Sequence, residues 1–215
     1  MQQNENLNNP DNNASSQYSF YAMLDRMQYI NRWGLMRNNR TENIKEHSMD
    51  VAIVAHALAV IRNTICLNAR QKVDPQFVMG VAMLHDATEI ITGDLPTPIK
   101  YRNPEITRAY KNVEGQATDT LLSLLPEELR GEYRELFCPD RSDPMKDEAY
   151  HLVKAADRIC AYIKCVTEEN SGNREFSSAK MSILASIDTL DYPEVTYFME
   201  HFIPAYGMTL DEISE

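Results

Sequence analysis

Three stretches of the chain carry residue types able to hold a metal ion: His47, the pair His85-Asp86 followed by Glu89, and Asp157. Each lies within an apolar periodicity. Val51, Val54, Leu58 and Ile61 recur at steps of three and four, and His47 extends the series backwards by four. That spacing puts His47 on the inward face of a helix, in its first turn. Val81, Ala82, His85 and Glu89 share a face by the same steps, and Asp86 borders it. Leu152, Val153, Ala156, Cys160 and Ile163 define the inner face of a later helix, and Asp157 falls on it. An inward histidine or acid taken alone reads as a core group with one hydrogen-bond or Arg partner. Two imidazoles and two carboxylates on apolar faces are costly unless paired with one another or with a cation. Mixed nitrogen and oxygen ligation suits Mn²⁺, Co²⁺, Fe²⁺ or Zn²⁺. Four such ligands leave a six-coordinate ion room for water and a substrate oxygen, as a catalytic site needs.

The elements that must position these residues read as helices. Tyr18 to Asn31 is a first candidate, with Phe20, Leu24, Met27 and Ile30 as its buried stripe. Asn43 and Glu46 form a capping-box start for the helix that carries His47. Asp74-Pro75 is an N-cap followed by proline in the first turn, and that helix is expected to run to about Ile91 and stop at Thr92-Gly93. The run Gly93-Asp94-Leu95-Pro96-Thr97-Pro98 is predicted to be an ordered loop. Further helices are predicted over 104–123, 126–136, 144–170 and 174–187, with a short one from Pro193 to about Phe202. The expected architecture is all-α, with seven or eight helices over residues 17–215. Residues 1–16 are set apart: eight of the first thirteen are Asn or Gln, and such a segment is expected to be a disordered tail.

The chain has 215 residues, with 21 Lys and Arg against 32 Asp and Glu, a net charge of −11. Such a surface repels a polyphosphate backbone, so no nucleic-acid polymer is expected as a partner. A single nucleotide is still allowed, because a metal supplies positive charge locally. No apolar run is long enough for a membrane span, and the N-terminus has no signal-peptide pattern. Cys66, Cys138, Cys160 and Cys165 form no Cys-x-x-Cys pair. They read as reduced thiols of a cytoplasmic protein.

The order His47, His85-Asp86, Asp157 resembles the H…HD…D pattern of HD-domain metal-dependent phosphohydrolases. The flanks narrow the resemblance. Asn31-Arg32-Trp33, Arg40-Thr41-Glu42-Asn43 leading to Glu46-His47-Ser48, and Lys154-Ala155-Ala156-Asp157 are similar to the bacterial HD-domain 5′-deoxynucleotidase group. So is His85-Asp86-Ala87-Thr88-Glu89 leading to Gly93-Asp94-Leu95-Pro96-Thr97-Pro98. The similarity covers about residues 18–213. It implies an HD-type helical bundle, hydrolysis of deoxyribonucleoside 5′-monophosphates, a preference for deoxyribose and a homodimer. It also implies one divalent ion held by His47, His85, Asp86 and Asp157, with His47, Asp86 and Asp157 reaching the substrate as well. Arg32 is then expected to orient the phosphate, and Trp33 to pack where a 2′-hydroxyl would sit. Asp94, Leu95, Pro96 and Thr97 are expected to line the nucleoside side. Gly34 stands where relatives often carry Pro.

The leaving 5′-oxygen needs a proton. Glu89 is the first candidate for that general acid and Asp94 the alternative, with a partner that orients His85 as the other reading of Glu89. Trp33, the sole Trp, reads equally as a surface stack or core plug beside Arg32. Other readings of the whole are an HD phosphohydrolase acting on nucleoside triphosphates or guanosine polyphosphates, a non-catalytic nucleotide sensor, and a metal-stabilised structural bundle. The polyphosphate substrates call for more converging cations than Arg32, Arg37, Arg40 and Lys100 supply.

Overall fold

A computed structural model of the chain describes residues 18–67, 70–100 and 102–214, without the side chain of Thr97. The expected tail over residues 1–16 lies outside the described residues. The elements are α1 (Phe20–Asp25), a 3₁₀ turn (Arg26–Tyr29), α2 (Ile44–Thr64), α3 (Pro75–Leu84), α4 (Glu89–Thr92), α5 (Thr97–Lys100), α6 (Pro104–Ser123) and α7 (Glu127–Phe137). Then follow α8 (Pro144–Asn170), a 3₁₀ turn (Arg174–Phe176), α9 (Ser177–Asp188), α10 (Pro193–His201), a 3₁₀ turn (Ile203–Gly207) and α11 (Leu210–Ser214). Seven of the α-helices have nine residues or more, so the all-helical expectation holds. The β pairing among the described residues is one isolated antiparallel bridge, Asn31 with Asn43.

Helix starts follow local chemistry. The Asn43 side chain accepts from the Lys45 and Glu46 amides, and Asp74 accepts from those of Gln76 and Phe77. Asn103 and Asp143 cap α6 and α8 in the same way, each followed by proline at a position whose N–H has no helical partner. Helix α2 is the spine. Its Val51, Val54, Ala55, Leu58 and Ile61 pack with Val78, Val81 and Ala82 of α3 and with Leu152, Val153, Ala156 and Ile159 of α8. A second cluster joins Phe20, Met27, Ile44, Leu84, Ala87, Leu121 and Leu125. On α2, His47 falls between Ile44 of the second cluster and Val51 of the first, and it is fully buried.

Three expectations are corrected. The first helix ends at Asp25 and gives way to 3₁₀ geometry, because Ile30 to Arg32 turn extended and pair with 42–44: the Ile44 amide donates to the Ile30 carbonyl and the Arg32 amide to that of Glu42, both at 2.9 Å. The third helix stops at Leu84 rather than near Ile91. Beyond it the backbone bonds shorten to three-residue steps, His85 to Ala82, Ala87 to Leu84 and Glu89 to Asp86, and the His85 ring also claims the Ala82 carbonyl. Periodicity reads an α-turn and a 3₁₀ turn alike. The last two residues of the expected loop over 93–98 are helical, since α5 begins at Thr97 with Pro98 in its first turn, where a missing N–H costs nothing. Gly93 ends α4 as expected, with a φ of +73° that only glycine adopts freely. The 3₁₀ turn at Ile203–Gly207 and α11 extend beyond the predicted end at Phe202.

Far from the histidines, the buried Arg62 clamps α2 to α8 and α10. Its Nε donates to Glu194 Oε1 at 2.8 Å and its Nη1 to Glu148 Oε2 at 2.7 Å. Glu194 is itself fully buried, and its Oε2 has no partner. Arg62→Ala leaves that carboxylate alone in the core, so a loss of about 3–5 kcal/mol is expected in urea unfolding. A double substitution that also replaces Glu194 with Leu should recover much of it. An Arg62→Ala protein as stable as wild type would refute the clamp.

Candidate active site

His47 comes from the first turn of α2, His85 and Asp86 from the tight turns after α3, and Asp157 from the middle of α8. One ligand atom each of His47, His85 and Asp157 lies within 4.8 Å of the others. His47 Nε2 stands 3.1 Å from Asp157 Oδ1 and 3.5 Å from Asp86 Oδ2, and His85 Nε2 stands 3.1 Å from the same Asp86 oxygen. Asp86 thus touches the group through the two histidines.

The donor set fits a divalent ion on two counts. Two ligands held about 2.1 Å from one ion, at angles between square and tetrahedral, stand roughly 3.0–3.4 Å apart, close to the contacts seen here. The second count is His85. Its Nδ1 donates to the Ala82 carbonyl at 2.7 Å, so a neutral ring carries its lone pair on Nε2. That nitrogen is buried, has no hydrogen-bond partner and faces an Asp86 oxygen. A lone pair set against a carboxylate calls for a cation beside both.

Electrostatics separate the carboxyls. Burial works against ionising Asp157, but the hydrogen bond from His47 and its charge hold the acid well below its usual range. Glu89 goes the other way: burial, then repulsion from Asp86 and Asp94, pushes it up to about 9. It is 7% exposed, and its Oε2 is buried without a partner. Burial and Asp86 also raise Asp94, against the pull of Arg32 and of the nearby Trp33 amide.

The bridge between 31 and 43 sets Arg32 opposite Glu42. Arg32 Nη1 donates to Glu42 Oε1 at 2.8 Å and lies 2.7 Å from His47 Nδ1, while Nη2 lies 3.9 Å from Asp157 Oδ1. Glu42, 14% exposed at its side chain, is held down to about 2: burial opposes, but His47 and Arg32 prevail. Trp33 is the one non-glycine described residue with positive φ, at +58°. Its indole Nε1 donates to Glu42 Oε2 at 3.1 Å, its ring meets the buried Phe176 edge-on with centroids 5.4 Å apart, and its carbonyl accepts from the Met36 amide and the Asn38 side chain.

The structure therefore brings Arg32, Trp33, His47, His85, Asp86, Glu89, Asp94 and Asp157 into one connected region. Leu95 and Pro96 are half-buried on the adjoining segment, and the Thr97 side chain lies outside the described residues. Arg37 is left outside, 88% exposed and paired with Glu175. The loop through Asn39 and Arg40 is anchored from behind by Glu168, which accepts from both amides. Sequence reasoning missed Glu42, whose role depends on a pairing across ten residues that periodicity does not report. It also passed over Lys154, one turn before Asp157; burial disfavours its charge, but Asp157 and Asp86 sustain it.

Solved structures with this arrangement of helices include an HD-domain phosphohydrolase of Listeria innocua, 21% identical, covering 87% of this chain and 88% of that one with a TM-score of 0.72. Another is a cyanophage S-2L HD phosphohydrolase bound to dA and one catalytic zinc ion, 20% identical, covering 85% and 95% with a TM-score of 0.58. The fold is thus that of the HD-domain phosphohydrolases. Within that class, residues 19–206 match the family model described as 5′-deoxynucleotidase YfbR-like. A 5′-deoxynucleotidase of Vibrio cholerae is 47% identical over 195 residues, 91% of this chain and 97% of that protein. The chain belongs to the YfbR-like 5′-deoxynucleotidase family.

Proposed function

We propose that this chain hydrolyses deoxyribonucleoside 5′-monophosphates to deoxynucleosides and inorganic phosphate, using one divalent ion held by His47, His85, Asp86 and Asp157. The observation that carries the reading is the buried, partnerless Nε2 of His85 amid His47, Asp86 and Asp157, next to Arg32. Co²⁺, Mn²⁺, Fe²⁺ and Zn²⁺ all suit such ligands. When bound, the ion supplies Lewis-acid charge and an ionised water near neutral pH. Arg32 offers its guanidinium to the phosphate and fixes the orientation of phosphorus in the site. Glu89, protonated in its buried place, gives its proton to the 5′-oxygen as the P–O bond breaks. Asp94, beside the Trp33 backbone, helps seat the sugar side.

Phosphate release from dAMP, AMP and dATP, each with several metals, tests the reading. Release from dAMP should exceed the other two; faster attack on dATP would move the assignment to a triphosphate hydrolase. Glu89→Gln should lower kcat by about 10²–10⁴. The wild-type rate should fall as pH rises through about 9, where Glu89 loses its proton, and the variant should lose that limb of the profile. An unchanged alkaline limb would leave Glu89 as a group that merely orients its neighbours.

The chain is proposed to work as a homodimer in the cytoplasm. Met49, Ile53 and Val60 form an exposed apolar stripe along the outer face of α2, which favours a second copy there. All four cysteines are free, and no described helix is long and apolar enough to cross a membrane. Light scattering at micromolar concentration should return twice the chain mass.

A further inference from the structure

We infer that Glu42 is a positioning residue that ties the phosphate-orienting Arg32, the indole of Trp33 and the metal-ligating His47 into one unit, so that sugar selection and phosphate alignment are set together. The inference rests on the reading above, in which Trp33 borders the sugar. It is carried by the two oxygens of a single carboxylate. Oε1 accepts from Arg32 Nη1 at 2.8 Å and stands 3.3 Å from His47 Nδ1; Oε2 accepts from Trp33 Nε1 at 3.1 Å.

The geometry leaves little slack. The Arg32 amide donates to the Glu42 carbonyl at 2.9 Å, so the backbone of the two residues is locked before their side chains meet. Asn43, the next residue, caps α2, and His47 follows within its first turn. A shift of Glu42 therefore moves Arg32 and Trp33 relative to the metal ligands. Trp33 sits in a left-handed backbone conformation that an L side chain adopts only under constraint. Its indole has one N–H, and Glu42 takes it. Arg32 and Trp33 are adjacent in sequence, yet their side chains reach the same carboxylate from opposite oxygens. A glutamine at position 42 has one carbonyl oxygen and one NH₂, so it cannot accept from both. An aspartate is one methylene shorter and cannot span them.

Trp33 is the only tryptophan, so its fluorescence reports this contact without substrate or metal. In the full chain, Glu42→Gln should shift Trp33 emission to the red and raise its quenching by acrylamide. It should lower kcat/KM for dAMP about tenfold and reduce the dAMP-to-AMP preference by a similar factor, because the wall loosens as the phosphate arm drifts. Trp33→Phe removes the N–H and keeps an aromatic ring, so the double variant with Glu42→Gln should lose no more preference than the worse single variant. If Glu42→Gln fails to fold, Glu42→Asp serves in its place with the same expected emission shift. Unchanged emission together with an unchanged preference overturns the inference, even where the overall rate falls, since that pattern fits a role at His47 alone. A wild type without preference for dAMP defeats the functional reading instead, and the emission of the apo protein still decides whether Glu42 holds the indole.

Discussion

Asp157→Ala is expected to reduce phosphate release by at least about a thousandfold and to lower bound metal in parallel, because metal-assisted hydrolysis loses its nucleophile with its ion. The size follows from the site. Asp157, on α8, contributes one of the three ligand atoms that share the 4.8 Å group. Its carboxylate is also the partner of His47 Nε2, so its loss frees a buried imidazole as well as a ligand position. Chelation of the wild type should have the same consequence, reversed on adding Co²⁺ or Mn²⁺ back. The fold should survive, since the α8 core runs through Leu152, Val153, Ala156 and Ile159 rather than Asp157. Elemental analysis and circular dichroism on the same samples separate the outcomes. Full turnover in verified metal-free protein would falsify the hydrolytic mechanism proposed here.

The candidate ligands were legible because each stands within an apolar series that a packed helix must turn inward. His47 at the head of Val51, Val54 and Leu58, and Asp157 between Val153 and Cys160, are placed by helical geometry alone, and both belong to the group that converges. The cap signals were legible for the same kind of reason: Asn43, Asp74, Asn103 and Asp143 act within two or three residues. What escaped is what depends on distant pairing. Nothing local to Ile30 announces that the chain turns extended there to meet Ile44, and that pairing sets Arg32 opposite Glu42. The break after Leu84 escaped too, since His85 competes for the Ala82 carbonyl through its side chain, which a hydrophobic repeat does not register. Glu89 kept its place near the site although it belongs to a separate short helix rather than to the one carrying His85.

Trp33→Ala is expected to bring the wild-type preference for dAMP over AMP, of the order of a hundredfold, down toward parity. A wall excludes a hydroxyl only if it cannot retreat, and this one is fixed from several directions. Its indole N–H is held by Glu42, its carbonyl by Met36 and Asn38, and its ring by the edge of Phe176, which is itself fully buried. The backbone at +58° is part of the same device, since it turns the ring away from the path that an extended Arg32-Trp33-Gly34 segment would give it. Removing the ring leaves Arg32 with both of its acid partners, Glu42 and Asp157, so phosphate handling should persist and dAMP turnover should fall less than the preference does. Arg32→Ala should do the opposite, damaging dAMP and AMP alike while leaving their ratio near the wild-type value. Alanine is no better suited than tryptophan to the left-handed conformation, so the substitution releases no strain, and a drop in melting temperature reports the lost contacts with Phe176 and Glu42. The measurement is kcat/KM for both nucleotides in wild type, Trp33→Ala and Arg32→Ala. If Trp33→Ala keeps the wild-type ratio, Trp33 is packing against Phe176 and nothing more, and the hydroxyl must be sensed from the Asp94 side of the site.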